Sequence, residues 1–170
     1  STATLRPCPE ESVNWDTTQN VFIEGDNLEV LKLLQKSYHK KIKLIYIDPP
    51  FDRGADYIRT PQLRGAQSSI KIEGEYYSLG EQIQYTDIWA NDNYLQFMFE
   101  RLLLLKELLS DYGVIFLHCN HEKVHLLRCL MDEVFGADNF RNDVIRNQGP
   151  GKTHLKYIGR IKDTILFYCK

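Results

Sequence analysis

The run Lys43-Leu-Ile-Tyr-Ile47 stops against Asp48-Pro49-Pro50-Phe51. A short, continuous apolar run of this kind marks a strand covered on both faces, as in parallel sheets. Proline cannot donate to a strand ladder, so two in succession must end the strand. The chain is thereby committed to a covered sheet with a stiff corner at one strand's carboxyl end. Val114-Ile-Phe-Leu117 is a second run of the same character. Helical spacing surrounds these two. Asp26 stands at an N-cap position with Glu29 three residues on, close to a capping box, and Leu28, Leu31 and Leu34 carry the period to about Ser37. Tyr94, Phe97, Met98, Arg101, Leu102, Leu105 and Leu108 predict a helix over 93–109, followed by a turn at Asp111-Tyr-Gly113. His121 to Phe135 reads as a further helix, with Gly136 at its C′ position. Val21-Phe-Ile23, Asn142 to Gln148 and Thr164 to Cys169 read as strands. Strands alternating with helices imply an α/β domain with a largely parallel sheet. No clear helix separates the last two strands, so they are expected to form an antiparallel pair at one edge. Residues 1–19 read as an irregular lead-in, residues 20–170 as the domain, and the aperiodic stretch 52–90 as a functional loop.

The 170 residues suffice for one domain, and 43% hydrophobic with 26% charged residues exclude disorder, collagen and coiled coil. The four leucines from Leu102 to Leu105 are stopped by Lys106, far short of the roughly 18 apolar residues a membrane span needs, so no membrane partner is expected. A net charge of -2 does not by itself select a partner. Locally the balance differs: Arg141, Arg146, Lys152, Lys156, Arg160 and Lys162 face the single acid Asp143 over 141–162. Cys8, Cys119, Cys129 and Cys169 show no C-x-x-C spacing, which suits free thiols in a reducing cytoplasm. Without a starting Met, and with a strand-like run just before Lys170, the chain is expected to be a piece of something longer.

Asp48-Pro49-Pro50-Phe51 carries the most chemistry. Open α/β sheets bind ligands at the carboxyl ends of their strands. The prolines remove two N–H donors and stiffen the backbone. A carboxylate and carbonyl oxygens remain, all acceptors, with an aromatic ring beside them. That set suits a planar group bearing an amine. The plain alternative is a turn that merely ends a strand.

Gly25-Asp-Asn-Leu28 followed by Ile45-Tyr-Ile-Asp48-Pro-Pro-Phe51 resembles the amino-group DNA methyltransferases of the permuted, beta-type order in bacterial restriction-modification systems. The likeness continues through Tyr85-Thr-Asp-Ile-Trp89, Gly113-Val-Ile-Phe-Leu-His-Cys119, Leu130-Met-Asp-Glu-Val-Phe-Gly136 and Lys162-Asp-Thr-Ile-Leu-Phe-Tyr168. It spans about residues 20–170 in unbroken order. The resemblance implies part of a Rossmann-like domain that transfers a methyl group from S-adenosyl-L-methionine to an exocyclic amine of a flipped-out base in double-stranded DNA. Asp at position 48 favours N6 of adenine over N4 of cytosine. By the same resemblance, Asp48 and the Pro49 carbonyl accept the amine hydrogens and Pro50 stiffens the corner. Phe51 stacks on the base, and Asp26, with Asp48, lies near the cofactor. A restriction endonuclease subunit is a further implied partner. Lys152, His154 and Lys156 are candidate DNA-phosphate contacts. The family's Phe-x-Gly-x-Gly cofactor loop is not in this sequence, and Asp52 and Lys162 depart from residues common in relatives.

Two other motifs compete. His121-Glu122-Lys-Val-His125 matches the H-E-x-x-H pattern of a zinc hydrolase, but no third ligand stands on a separate element, and no metal is expected. Gly149-Pro-Gly-Lys-Thr153 has Arg146 where a phosphate-binding P-loop requires glycine. A non-catalytic binding fragment is the remaining alternative.

Overall fold

The computed structural model describes residues 4–50, 57–58, 83–85, 91–147 and 162–170. Helix α1 (Asn27–Tyr38) starts where the sequence places it. Asp26 Oδ1 accepts the N–H groups of Leu28 and Glu29 at 3.0 and 3.1 Å, satisfying two donors the first turn leaves over. Val21-Phe-Ile23, expected as a strand, lies in no ladder, and Val21 and Phe22 are exposed. An apolar triplet becomes a strand only when a neighbour takes up its N–H and C=O groups, and no described residue does so here.

Strand β1 (Ile42–Ile47) is followed by a separate two-stranded ladder of β2 (Tyr57–Ile58) and β3 (Ile83–Tyr85), antiparallel to each other. Apart from this ladder, the loop expected over 52–90 lies outside the described residues. Helix α2 (Asn91–Leu108) buries Tyr94, Met98, Leu102 and Leu105, one stripe at successive turns.

Strand β4 (Leu109–Cys119) follows α2 without a connecting loop. The turn expected at Asp111-Tyr-Gly113 is instead an irregularity inside this strand. Ile42 pairs with Leu109 and Leu44 with Val114, so two steps along β1 match five along β4. The surplus is taken up beside Gly113, where an added Cβ would lie 2.8 Å from Leu109 Cδ2 and 3.0 Å from the carbonyl oxygens of Ile42 and Ser110. Glycine is therefore required here by close backbone approach.

Helix α3 (Val124–Phe135) starts three residues later than the sequence suggests. Asn120 Oδ1 accepts the N–H groups of Glu122 and Lys123 at 3.1 and 3.0 Å, holding 121–123 as a turn before the helix. Gly136 ends α3 as expected, with φ +92 and its N–H donating to Asp132 O at 2.9 Å. Strands β5 (Phe140–Asn147) and β6 (Lys162–Cys169) complete the set.

The main sheet has the order β1-β4-β6-β5. The β1·β4 pair is parallel; β4·β6 and β6·β5 are antiparallel, which gives the expected antiparallel edge pair. The sheet is mixed, and β1·β4 is its parallel part. Ile45, Ile115 and Tyr168 form one row across it, and Ile47, Leu117 and Leu166 the next. This face joins the stripes of α2 and α3 in the core, with Leu127, Met131 and Phe135 contributed by α3. Phe116 and Phe167 stack at 4.5 Å on the opposite face. At the far end of the core, Tyr168 donates to Asp132 Oδ1 at 2.5 Å, and Arg128 lies 3.5 Å over the Phe140 ring while pairing with Asp132 at 3.1 Å. Burial and the Asp132 carboxylate push the Tyr168 hydroxyl well above the usual phenol range.

Candidate active site

Asp48 is the first residue after β1, at the strand's carboxyl end, as the sequence requires. Its side chain is 57% exposed. Pro49 and Pro50 follow, half-buried, and no described peptide bond is cis. Phe51 lies outside the described residues, as do Lys152, His154, Lys156, Trp89 and the 148–161 loop.

β4 places His118 beside this corner. Its ring is nearly buried, with Nδ1 3.1 Å from Asp48 Oδ1. The other ring nitrogen, Nε2, is 3.3 Å from Asp163 Oδ2 on β6, a contact that falls short of a straight hydrogen bond. Arg146 on β5 donates from Nη1 to that same Asp163 oxygen at 3.1 Å. Register explains the grouping: Arg146 pairs with Asp163, and His118 and Cys119 pair with Ile165 and Thr164. Asp163, 5% exposed, is a buried carboxylate with a cation on one side and an imidazole on the other. A buried carboxylate needs such partners, since stripping its water costs several kcal/mol or so.

In the sequence His118 and Asp163 stand only within segments of the family likeness, and Arg146 stands out only as one charge of a basic stretch. One signal was available: a histidine closing the apolar run Val114-Ile-Phe-Leu117 is a titratable group that the sheet must bury.

Cys119, next to His118, is inert. Its Sγ lies 3.4 Å from Thr164 O, and burial, then the Asp163 charge, push the thiol up to about 12. His121 stands in the turn ahead of α3, 3.7 Å from Glu122, and His125 in the helix. The two histidines therefore do not share a helix face as H-E-x-x-H chemistry demands.

Asp26 is exposed at the head of α1, and its neighbour Asn27 accepts from Arg101 Nε at 2.6 Å. Arg101 also stacks 3.4 Å over Phe97, and burial lowers its pKa against the opposing charges of Asp26 and Glu100. These contacts pin the start of α1 to α2. The Oδ2 atom of Asp26 takes no part in the cap and can accept from a hydroxyl or amine.

The site thus offers a half-exposed carboxylate on a stiff corner, backed by a buried histidine. It can hold an amine by its hydrogens. Among the described residues, no group of three or more His, Cys, Asp or Glu side chains could hold a metal ion.

A family model described as DNA methylase matches residues 42–170. The type II methyltransferase M.EcaI of Enterobacter cloacae is 34% identical over 152 residues, 89% of this chain and 29% of that protein. The Mod subunit of the type III restriction-modification enzyme EcoP15I of Escherichia coli is 31% identical over 145 residues, 80% of this chain and 21% of its own length. This chain therefore spans well under half of these relatives. Two solved structures share the fold. A crystal structure of an M1.HpyAVI-SAM complex matches with TM-score 0.50 and 12% identity, over 87% of this chain and 53% of that one. The cytosine-N4-specific PvuII DNA methyltransferase matches with TM-score 0.50 and 15% identity, over 85% of this chain and 47% of its own.

Proposed function

We infer the function from one premise: this chain belongs to the DNA methylase family, whose model covers residues 42–170. It is the catalytic part of a site-specific DNA methyltransferase that methylates an exocyclic amine, N6 of adenine, in a base flipped out of the duplex. The observation that carries this reading is the Asp48 carboxylate, half-exposed at the end of a sheet strand, stiffened by Pro49 and Pro50, and, among the described residues, contacted on one oxygen only. Relatives named as type II and type III restriction-modification methyltransferases support it. The second structural neighbour acts on N4 of cytosine, but at 15% identity it speaks for the fold and not for the base.

An exocyclic amine is a poor nucleophile because its lone pair is delocalised into the ring. Asp48 Oδ2 has no partner among the described residues and is placed to accept one amine hydrogen. The Pro49 carbonyl accepts the other, and Phe51 covers the base. Two acceptors draw the nitrogen towards a pyramidal shape, which stabilises the transition state more than the ground state. Bound S-adenosyl-L-methionine supplies a methyl group made electrophilic by its sulfonium. Asp26, whose Oδ2 takes no part in the α1 cap, fits a nucleoside hydroxyl or amine and would hold that part of the molecule. A glycine-rich loop for the rest is not among these 170 residues. Lys152, His154 and Lys156 contact DNA phosphates. In a type III arrangement a restriction subunit is the partner protein. Among the described residues no helix is long and apolar enough to cross a membrane, and the reading places the enzyme in the cytoplasm.

The test is Asp48→Ala in the intact enzyme. Transfer of radiolabelled methyl groups to DNA should fall by at least about a hundredfold, the usual loss when one preorganised hydrogen-bonding group is removed, while DNA binding persists. Turnover near that of the unaltered enzyme would reject the role given to Asp48.

A further inference from the structure

The four strands of the main sheet each bring one charged or titratable side chain to the same end, in the spatial order of the sheet. They are Asp48 after β1, His118 on β4, Asp163 on β6 and Arg146 on β5. We propose that His118 is a positioning residue for Asp48, locked in its own orientation by Asp163 and Arg146. This row fixes which Asp48 oxygen meets the substrate amine. The inference rests on the methyltransferase reading above.

A half-exposed carboxylate has several rotamers and exchanges hydrogen bonds with water. A ring nitrogen 3.1 Å away on a nearly buried side chain selects one of them when it carries the proton. His118 is such a group because its ring is nearly buried, which limits its rotamers. Nδ1 faces Asp48, and Nε2 faces a carboxylate that Arg146 anchors from the other side. A neutral imidazole carries one N–H, and only the form with both nitrogens protonated donates to both carboxylates. With a proton on Nδ1, in the neutral or the doubly protonated ring, donation from Nδ1 occupies Oδ1 and leaves Oδ2 for the amine.

The cost of the arrangement points the same way. Asp163 is a buried carboxylate whose partner Arg146 is 59% exposed; burying a charge is a weak source of stability, and apolar residues of equal volume do as well or better. Leu117 and Leu166, paired next to this row, show that apolar side chains fill this part of the sheet readily. What the polar row adds is orientation at Asp48. Misplacement of a reacting contact by about 1 Å can cost roughly a hundredfold in rate.

The test uses the intact enzyme, a long unmethylated duplex such as phage λ DNA, and radiolabelled S-adenosyl-L-methionine. Asparagine at 118 places an amide N–H near the position of Nδ1, whereas glutamine places its own near Nε2. His118→Gln and His118→Leu should lower kcat by about a hundredfold, the scale expected of misplacement. His118→Asn should recover a large part of that loss. KM for DNA should stay essentially unchanged in all three. Equal kcat in the Asn and Gln variants, a loss confined to KM, or a Leu variant with unaltered kcat would each overturn the proposal. If the Leu variant does not fold, the polar Asn and Gln variants decide the matter alone. The outcome also separates the two readings. An intact unaltered enzyme that transfers no methyl group to any DNA rejects the methyltransferase assignment and this inference with it. Normal turnover that is indifferent to the residue at 118 rejects the positioning role only.

Discussion

β1 and β4 are parallel neighbours with similar apolar sequences, yet they live in different surroundings. Ile115 and Leu117 on β4 are wholly buried, whereas their same-face partners on β1, Ile45 and Ile47, are only half-buried, and Leu44 on the other face of β1 is 56% exposed. The polar residues at their ends follow suit: Asp48 stands out into solvent and His118 is enclosed. Strand order is the cause. β4 lies between β1 and β6, while β1 has a neighbour on one side only among the described residues. The division suits the chemistry. In the mechanism proposed above, the exposed strand would present the acceptor to a base, and the enclosed strand would supply the contact that aims it.

The largest effect expected from this contrast is on stability. Leu117→Ala should destabilise the intact protein by about 2–5 kcal/mol, the range for a cavity in a close-packed core. Leu44→Ala should cost well under about 1 kcal/mol, as exposed positions do. Denaturant midpoints for the pair would measure the gap, and equal losses would show that the outer face of β1 is covered in the intact protein. Next in size is Gly113→Ala. Its Cβ would meet two backbone oxygens at 3.0 Å, and the β1·β4 irregularity should lose about 1–3 kcal/mol, the cost of overpacking. Hydrogen exchange at Leu44 and Val114 would localise the damage.

Asp26→Ala should remove about 1 kcal/mol through the lost helix cap. A much smaller melting-temperature change would mean that the Arg101–Asn27 contact holds α1 without it. The smallest effect concerns a thiol. Cys119 should resist a thiol reagent at pH 8 in the native protein, while the exposed Cys8 and Cys129 react. Between its ordinary value of 9.0 and about 12, folded Cys119 keeps a proton that the unfolded chain has released. Its contribution therefore lowers stability as pH rises through that window. Rapid labelling of three thiols at pH 8, Cys119 included, would contradict its enclosure by β6.

Much of the fold was legible in the residues. The α1 cap at Asp26, the α2 stripe, the stop at Gly136 and the antiparallel edge pair all follow from local chemistry that acts within a few residues. The misreadings share one cause. Val21-Phe-Ile23 has strand composition but finds no ladder partner among the described residues. Asp111-Tyr-Gly113 has turn composition but is absorbed into β4 because Ile42 and Leu44 pair on either side of it. His121 has helical spacing but lies in a turn, because Asn120 delays the start of α3.

The candidate site divides in the same way. Asp48-Pro49-Pro50 announces itself, because a carboxylate and two prolines at the end of an apolar run have few structural uses. His118, Asp163 and Arg146 are separated by 17 or more residues in the chain, and nothing local links them. Sequence alone determined which segments form helices and strands, and that an acceptor-rich corner ends β1. Only tertiary structure decided that β6 inserts between β4 and β5, because strand order is set by long-range pairing. That insertion turns three scattered polar side chains into one row behind Asp48.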